Sequence, residues 1–284
     1  MSHPGAVEIL DTHIHIASDD VDRYPRQPTG VGSDWWLRGG FDAEALLRSM
    51  DECGVAGGMF VQPVGLYGYD NSYTIDAAAD HADRVRAVIC VDMDGDDAPG
   101  EIVRLGRSAA VTGVRMFGVG GRSAWIDKPD AGAAAFEAAA TAGLVAVLTV
   151  FSAQLTTLKP LIDRFPNVPV AIDHCGFPDL DGGVADAGQA LFDAVSSPNV
   201  SLKVSTHLLR AAMETQDLTD PADLVDQLAE HFGAARLMWG SDYPQSPRGY
   251  DEMVDLGRRS CRRLSAADQA AYLGASARAL FFSR

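Results

Sequence analysis

The stretch EILDTHIHIAS, residues 8–18, places two histidines two positions apart inside an apolar run. Alternate residues of a β-strand share a face, so the spacing predicts Asp11, His13 and His15 on one side of a first strand. Ile9, Ile14 and Ile16 flank them, and the segment reads as a buried strand that carries polar groups. Buried polar groups need partners. Two imidazoles on one strand face point to a metal, a substrate or a proton-transfer site. The bland alternative is a pair of core histidines bonded to backbone.

Outward from this strand, short β-branched runs alternate with alanine-rich helical stretches. Further strands are predicted at 57–63, 84–92, 111–117, 144–150, 168–175, 200–206 and 236–242. Amphipathic stretches lie between them, such as FDAEALLRSMDECG (41–54), where Leu46, Leu47 and Met50 form one stripe and Gly54 a C-cap. Eight strands, each followed by a helix, predict an α/β fold of the (β/α)8 TIM-barrel type, a single domain over residues 1–284. An open doubly wound sheet would carry GxGxxG after its first strand, and none is present there. GVGGRS (118–123) follows the fourth strand and reads as a loop that lets backbone approach a ligand. Residues 250 to about 281 supply a closing helical segment.

Composition narrows the function. Of 284 residues 47% are hydrophobic, enough for a large core, and 23 basic against 39 acidic residues give a net charge of −16. That balance argues against nucleic acid and anionic membrane as partners and leaves a small molecule. Four dispersed cysteines form no CxxC, and no run approaches a membrane span, so a reduced, cytoplasmic protein is expected, a homo-oligomer not excluded.

Active sites of such barrels lie at the C-terminal ends of the strands. His13 and His15 end the first predicted strand, Gln62 the second, Arg115 the fourth, His174 the sixth, Ser205 and Thr206 the seventh, and Asp242 the eighth. Closure sets strands one and eight side by side, so Asp242 is expected to reach the histidine pair. Three imidazoles and a carboxylate then share one mouth.

At this point the chain resembles the amidohydrolase superfamily, in its amidohydrolase 2 branch. DTHIHI is similar to that branch's opening DxHxH, and LMWGSDYP to its closing GSDYP or GSDWP. DDVDRYPRQP, YGYDNSY, GVRMF, PNVPVAIDHCGFPD and LKVST resemble, in order, landmarks of its sugar-lactonase and 2-pyrone-4,6-dicarboxylate-lactonase group. The resemblance spans residues 8 to about 248. It implies hydrolysis of a cyclic ester or related carbonyl compound at the barrel mouth. His13 and His15 match the HxH, His174 the histidine of the DHxGxP segment and Asp242 the aspartate of the GSD motif. Arg115 matches the GxR position, which in dicarboxylate-binding members helps hold a substrate carboxylate. Many metal-dependent members carry a lysine or glutamate on the fourth strand and a histidine on the fifth, and both are missing here. The resemblance thus implies at most one divalent ion, zinc or manganese, held by His13, His15 and Asp242 with His174. Metal-free catalysis, which the lactonase group also includes, stays open.

Ester hydrolysis needs a polarised carbonyl, an activated water and a proton carrier. Asp242 suits the base, and the alternative makes it a cap of the turn that follows. His13 and His15 either hold the metal or donate to the carbonyl oxygen, and His174 orients the carbonyl or protonates the leaving oxygen. Arg115 and Arg122, around the loop after the fourth strand, suit a substrate carboxylate, with surface ion pairs as the alternative. Gln62, Tyr69, Tyr243 and His207 are further candidate substrate contacts, while Asp70 and Asn71 are expected to cap a helix. Lys203, deeper in the barrel, is expected to pair with a carboxylate. Trp35, Trp36 and Tyr24, in the long first loop, are expected to roof the pocket or pack on the rim, and His3, His81 and His231 read as structural. Two other outcomes remain: a metal-dependent non-oxidative decarboxylase of the same branch, and a barrel that binds a small acid without catalysis.

Overall fold

The computed structural model of the chain describes residues 7–186 and 188–283; His3 lies outside them. Eight parallel strands pair in sequence order: β1 (Leu10–Ile14), β2 (Gly57–Val61), β3 (Val85–Cys90), β4 (Val111–Phe117), β5 (Val145–Thr149), β6 (Val170–Ile172), β7 (Val200–Ser205) and β8 (Leu237–Gly240). Helices α1 (Ala43–Cys53), α2 (Val64–Tyr67), α3 (Ser72–Asp80), α4 (Ala98–Leu105), α5 (Pro129–Ala142) and α6 (Leu155–Arg164) surround the first strands. The ring continues with α7 (Gln189–Val195), α8 (Thr206–Met213), α9 (Pro221–Phe232) and α10 (Tyr250–Ser260). The chain ends in α11 (Ala266–Ala270), a π-turn (Ala271–Ala275) and α12 (Ser276–Phe281). This is the expected (β/α)8 TIM barrel. No helix of the described residues is long and apolar enough to cross a membrane.

Local chemistry accounts for the helix ends. The Asp42 side chain accepts from the Ala45 amide at the start of α1, and Gly54 closes it in the left-handed region at φ 68°. Leu46, Leu47 and Met50 bury the predicted stripe against the barrel. At α9, Asp220 and Asp223 form a reciprocal cap with Pro221 in the first turn.

Inside the barrel, Leu10, Met59, Val61, Val88, Val145, Val147, Ala171 and Met238 make a dry lower layer. Ala277 and Phe281 of α12 join it, so the C-terminal helix plugs the bottom. The Phe281 ring lies 5.5 Å below the Lys203 ammonium. Strand alternation then carries polar residues into the upper layer on Arg115, Thr149 and Lys203.

One expectation is corrected at β1. The ladder with β2 shifts register between Asp11 and Ile14, a bulge. Leu10 therefore faces the interior, Asp11 turns outward to the Tyr250 hydroxyl of α10 (3.1 Å), and His13 and His15 still point inward. Asp11 does not share their face, because the extra residue changes the alternation between them. Gly58 fits beside this bulge: a Cβ there would sit 2.1 Å from the Asp11 carbonyl. Backbone and side-chain bonds between β1 and the segment after β8 close the barrel. The Asp242 amide donates to the His13 carbonyl and the His15 amide to the Tyr243 carbonyl, each at 2.8 Å. The Asp11 carboxylate takes the Ser241 amide (2.8 Å), and the Thr12 hydroxyl donates to the Trp239 carbonyl (2.8 Å).

Removing the bottom plug should destabilise the fold without touching the mouth. Phe281→Ala is expected to lower the unfolding free energy by about 3–5 kcal/mol, read from urea titration. A loss below about 1 kcal/mol would show that α12 does not hold the barrel floor.

Candidate active site

The upper interior is built around Asp173, which follows β6 and is completely buried. Its Oδ2 accepts from the Thr149 hydroxyl (2.6 Å) and from Arg115 Nε (3.1 Å). Its Oδ1 lies 3.1 Å from Lys203 Nζ and 3.3 Å from His13 Nδ1. Burial alone would raise the Asp173 pKa, but the charges of Lys203 and Arg115 and the contact with His13 outweigh it and hold the carboxyl well below its usual range. Burial lowers the Lys203 ammonium and Asp173 works to raise it. The expected lysine–carboxylate pair is present.

Above this layer the imidazoles meet Asp242. His13 Nε2 is 3.7 Å and His15 Nε2 3.6 Å from Asp242 Oδ1. His15 Nδ1 bonds the Val61 carbonyl (2.8 Å), and His174 Nδ1 bonds the Ser205 hydroxyl (2.8 Å). Ser205 also accepts from the Leu208 amide at the start of α8. One donor atom each from His13, His174 and Asp242 lie within 4.8 Å of one another. Burial pushes His13 down to about 3 and lowers His174. Asp242 lies below the usual carboxylate range although burial works to raise it.

This donor set fits one divalent ion. In His13 and His15 the Nδ1 faces an oxygen acceptor, which aims each Nε2 at Asp242, the arrangement that orients metal-bound histidines. Nitrogen and carboxylate donors suit zinc or manganese. No second cluster of metal-binding groups is found among the described residues, in keeping with Arg115 and Thr149 on β4 and β5.

The other predicted residues divide. Arg115 reaches the mouth cavity, of about 270 Å³, with Phe117, His174, His207 and Asp242. Its Nε is committed to Thr149 and Asp173, whereas neither Nη has a partner among the described residues. His207 is exposed at the rim, its ring 6.5 Å from that of His174. Gln62 is corrected. Its amide donates to the Gly68 and Asp70 carbonyls and accepts from the Thr74 hydroxyl, so a fully buried side chain is spent on the loop after β2. Tyr243 does not line the cavity either: its ring packs edge-on against Phe41 and Tyr250, while Asp242 beside it faces the cavity. Tyr69 is half-buried among Val31, Val64 and Phe117, and Arg122 lies beside it with Nη1 on the Gly120 carbonyl. Neither lines the cavity. Asn71 does not cap α3 but clamps the Cys90 backbone through both ends of its amide.

The first loop forms a roof. Gln27 and Thr29 donate to the Leu66 and Gly65 carbonyls, and Ser33 and Arg38 reach the carbonyls of Gln245 and Pro244. Trp35 is buried with Tyr24 and Trp36 and stacks beside His15, centroids 6.4 Å apart. Beyond the rim, a side cavity of about 260 Å³ next to Thr206 and Arg210 also touches Asp242. A larger cleft between α8 and α10 holds no imidazole.

Sequence reasoning left out Asp173 as a site residue, although it stands directly before His174. It also left out the backbone there: His174, Cys175 and Phe177 have φ of 53°, 53° and 49°, with Gly176 at 74°. This left-handed turn ends β6 at Ile172, three residues short of the expected strand end, and swings His174 over the mouth. Asp242 is left-handed as well, at φ 57°. Its carboxylate faces the imidazoles while its carbonyl closes the turn to Gln245.

The sequence profile of the amidohydrolase family matches residues 10–282. An L-fucono-1,5-lactonase of Burkholderia ambifaria is 30% identical over 242 residues, 84% of this chain and 80% of that protein. A crystal structure of an amidohydrolase from Burkholderia multivorans with bound zinc is 25% identical, with a TM-score of 0.76 over 97% of this chain and 99% of that one. A probable 2-pyrone-4,6-dicarboxylic acid hydrolase of Acinetobacter baumannii, holding citric acid, has a TM-score of 0.71 over 97% and 99%; at 18% identity it shows the fold alone.

The corrected placement of Gln62 is testable. Gln62→Leu leaves two carbonyls and a hydroxyl unpaired, so unfolding in urea should come easier by about 2–4 kcal/mol. A variant as stable as the parent but impaired in substrate binding would return Gln62 to the site.

Proposed function

The chain belongs to the amidohydrolase family, and from that premise we propose that it is a hydrolase opening a lactone, or a related cyclic ester, of a small carboxylated or polyhydroxy compound. The observation that carries this reading is the convergence of His13, His15 and His174 on the Asp242 carboxylate. The similarity to an L-fucono-1,5-lactonase supports it.

Asp242 is ionised and 14% exposed at the mouth, so it can take the proton of an attacking water. As the water oxygen bonds to the carbonyl carbon, the ring C–O bond breaks and the leaving oxygen needs that proton back. His174, whose Nδ1 is tied to Ser205, offers its other nitrogen for orienting the carbonyl or carrying the proton. His13, His174 and Asp242, with His15, are the residues that would hold a divalent ion. Such an ion, when bound, supplies polarisation of the carbonyl. The decarboxylase alternative finds less support: the β5 position that would offer a further imidazole is Thr149, and its hydroxyl is committed to Asp173.

Asp242→Asn should lower turnover roughly 10²- to 10⁴-fold across a panel of sugar and pyrone lactones, with circular dichroism unchanged. Near-parental turnover on the preferred lactone would end the assignment, as would release of carbon dioxide from a ring acid without ring opening.

Substrate charge is read at Arg115. Its two free Nη groups face the cavity of a protein whose net charge is −16. Arg115→Lys keeps a cation for Asp173 but loses the fork, so KM for carboxylated lactones should rise roughly 10- to 100-fold. Neutral sugar lactones should change little. Equal effects on both classes would make Arg115 purely structural.

A further inference from the structure

Below the mouth lies a charged layer that water attack does not itself require. Asp173 and Lys203 are wholly buried and Arg115 nearly so. Ions that deep are costly, and a well-packed apolar set is often as stable. We infer that Asp173 is a positioning residue that fixes His13 as its Nδ1–H tautomer, with Lys203 and Arg115 keeping the Asp173 carboxylate ionised. The inference rests on reading the mouth as the active site.

The donors around Asp173 carry the argument. Thr149 and Arg115 donate to its Oδ2 at 2.6 and 3.1 Å, and the Lys203 ammonium pairs with its Oδ1 at 3.1 Å. An ionised carboxylate only accepts. A bare imidazole nitrogen 3.3 Å away would set lone pair against lone pair, so His13 Nδ1 carries a hydrogen. The His13 ring is completely buried, where a second hydrogen and the charge it brings are costly, so it has one such hydrogen. Nε2 is therefore bare, and it faces Asp242 Oδ1 at 3.7 Å. Two acceptors so placed are held by something positive between them: a cation, or the proton of a water or substrate. His13 acts as ligand or acceptor, and the role of donor to the carbonyl oxygen is closed to it. The Val61 carbonyl orients His15 in the same sense.

The test uses isotope-labelled, chelator-stripped full-length protein at neutral pH, with imidazole nitrogen NMR assigned by the loss of signals in His13→Gln. A His13 signal of the Nδ1–H form is expected; the Nε2–H form would overturn the inference. The second readout is zinc binding. Asp173→Asn can turn an amide NH₂ toward His13 Nδ1 and move the hydrogen to Nε2, so zinc affinity should fall roughly 10- to 100-fold. Because that change leaves Lys203 without its carboxylate, the double variant Asp173→Asn/Lys203→Met is measured beside it, folding checked by circular dichroism. Unchanged zinc affinity in a folded variant would overturn the role of Asp173. If the parent binds no zinc, the NMR result alone decides. A parent with His13 as Nδ1–H that opens no lactone keeps this inference and removes the proposed function. One that opens lactones with His13 as Nε2–H does the reverse.

Discussion

At the seam between β8 and β1, the Asp11 carboxylate takes the Ser241 amide hydrogen that a regular ladder would have given to a backbone carbonyl. The same oxygen accepts from the His13 amide, and the second oxygen from Tyr250. Burial nevertheless pushes the Asp11 pKa up to about 6, so this acceptor sits in a site unfavourable to its charge. Three features meet there: the bulge in β1, the closure of the barrel and the inward turn of His13 and His15. A flush β1–β8 ladder would keep Asp11 and His13 in step and take the imidazoles off the axis. The Asp242 amide also bonds the His13 carbonyl, so the seam sets the spacing between base and imidazole.

Beneath the imidazoles, two cations share one carboxylate. Arg115 and Lys203 offset Asp173 and the Asp242 carboxylate above it, so the upper interior is charge-balanced in an otherwise acidic protein. An anion, or the developing oxyanion of ester hydrolysis, is favoured at the mouth by the edge of Arg115 that lines the cavity. Arg115 connects both functions because its planar group has two edges. One edge holds Asp173 and the other lines the cavity. Lysine or methionine there would serve at most one of them.

Strain lies where the chemistry is. A left-handed conformation costs an ordinary residue roughly 1–2 kcal/mol, and His174, Cys175 and Phe177 all adopt it. The turn is held by contacts on every side: Ser205 on the His174 ring, the Lys203 carbonyl near Cys175 Sγ, and Phe151 on Phe177. Asp242, the fourth such residue, closes the same ring of side chains. Backbone strain at these positions aims side chains that a regular strand end would point elsewhere.

The sequence by itself was enough for the barrel, because hydrophobic periodicity and helix caps are local signals: the eight strand runs, the α1 stripe and Gly54 each stand in a short window. It also brought His13, His15, His174, Arg115 and Asp242 to one mouth, since strand ends and barrel closure follow from fold class alone. What it could not decide was direction. Asp11 left the histidine face because of a bulge whose cause is the neighbouring strands, including Gly58 against the Asp11 carbonyl. Gln62 and Tyr243 face away from the cavity because other groups claim those side chains: Thr74 of α3 for Gln62, and Phe41 of the first loop with Tyr250 of α10 for Tyr243. Asp173 entered the site because four different strands bring donors to one carboxylate. Side-chain direction at a strand end depends on long-range packing and on which polar groups burial forces together, and only the assembled tertiary structure fixes both.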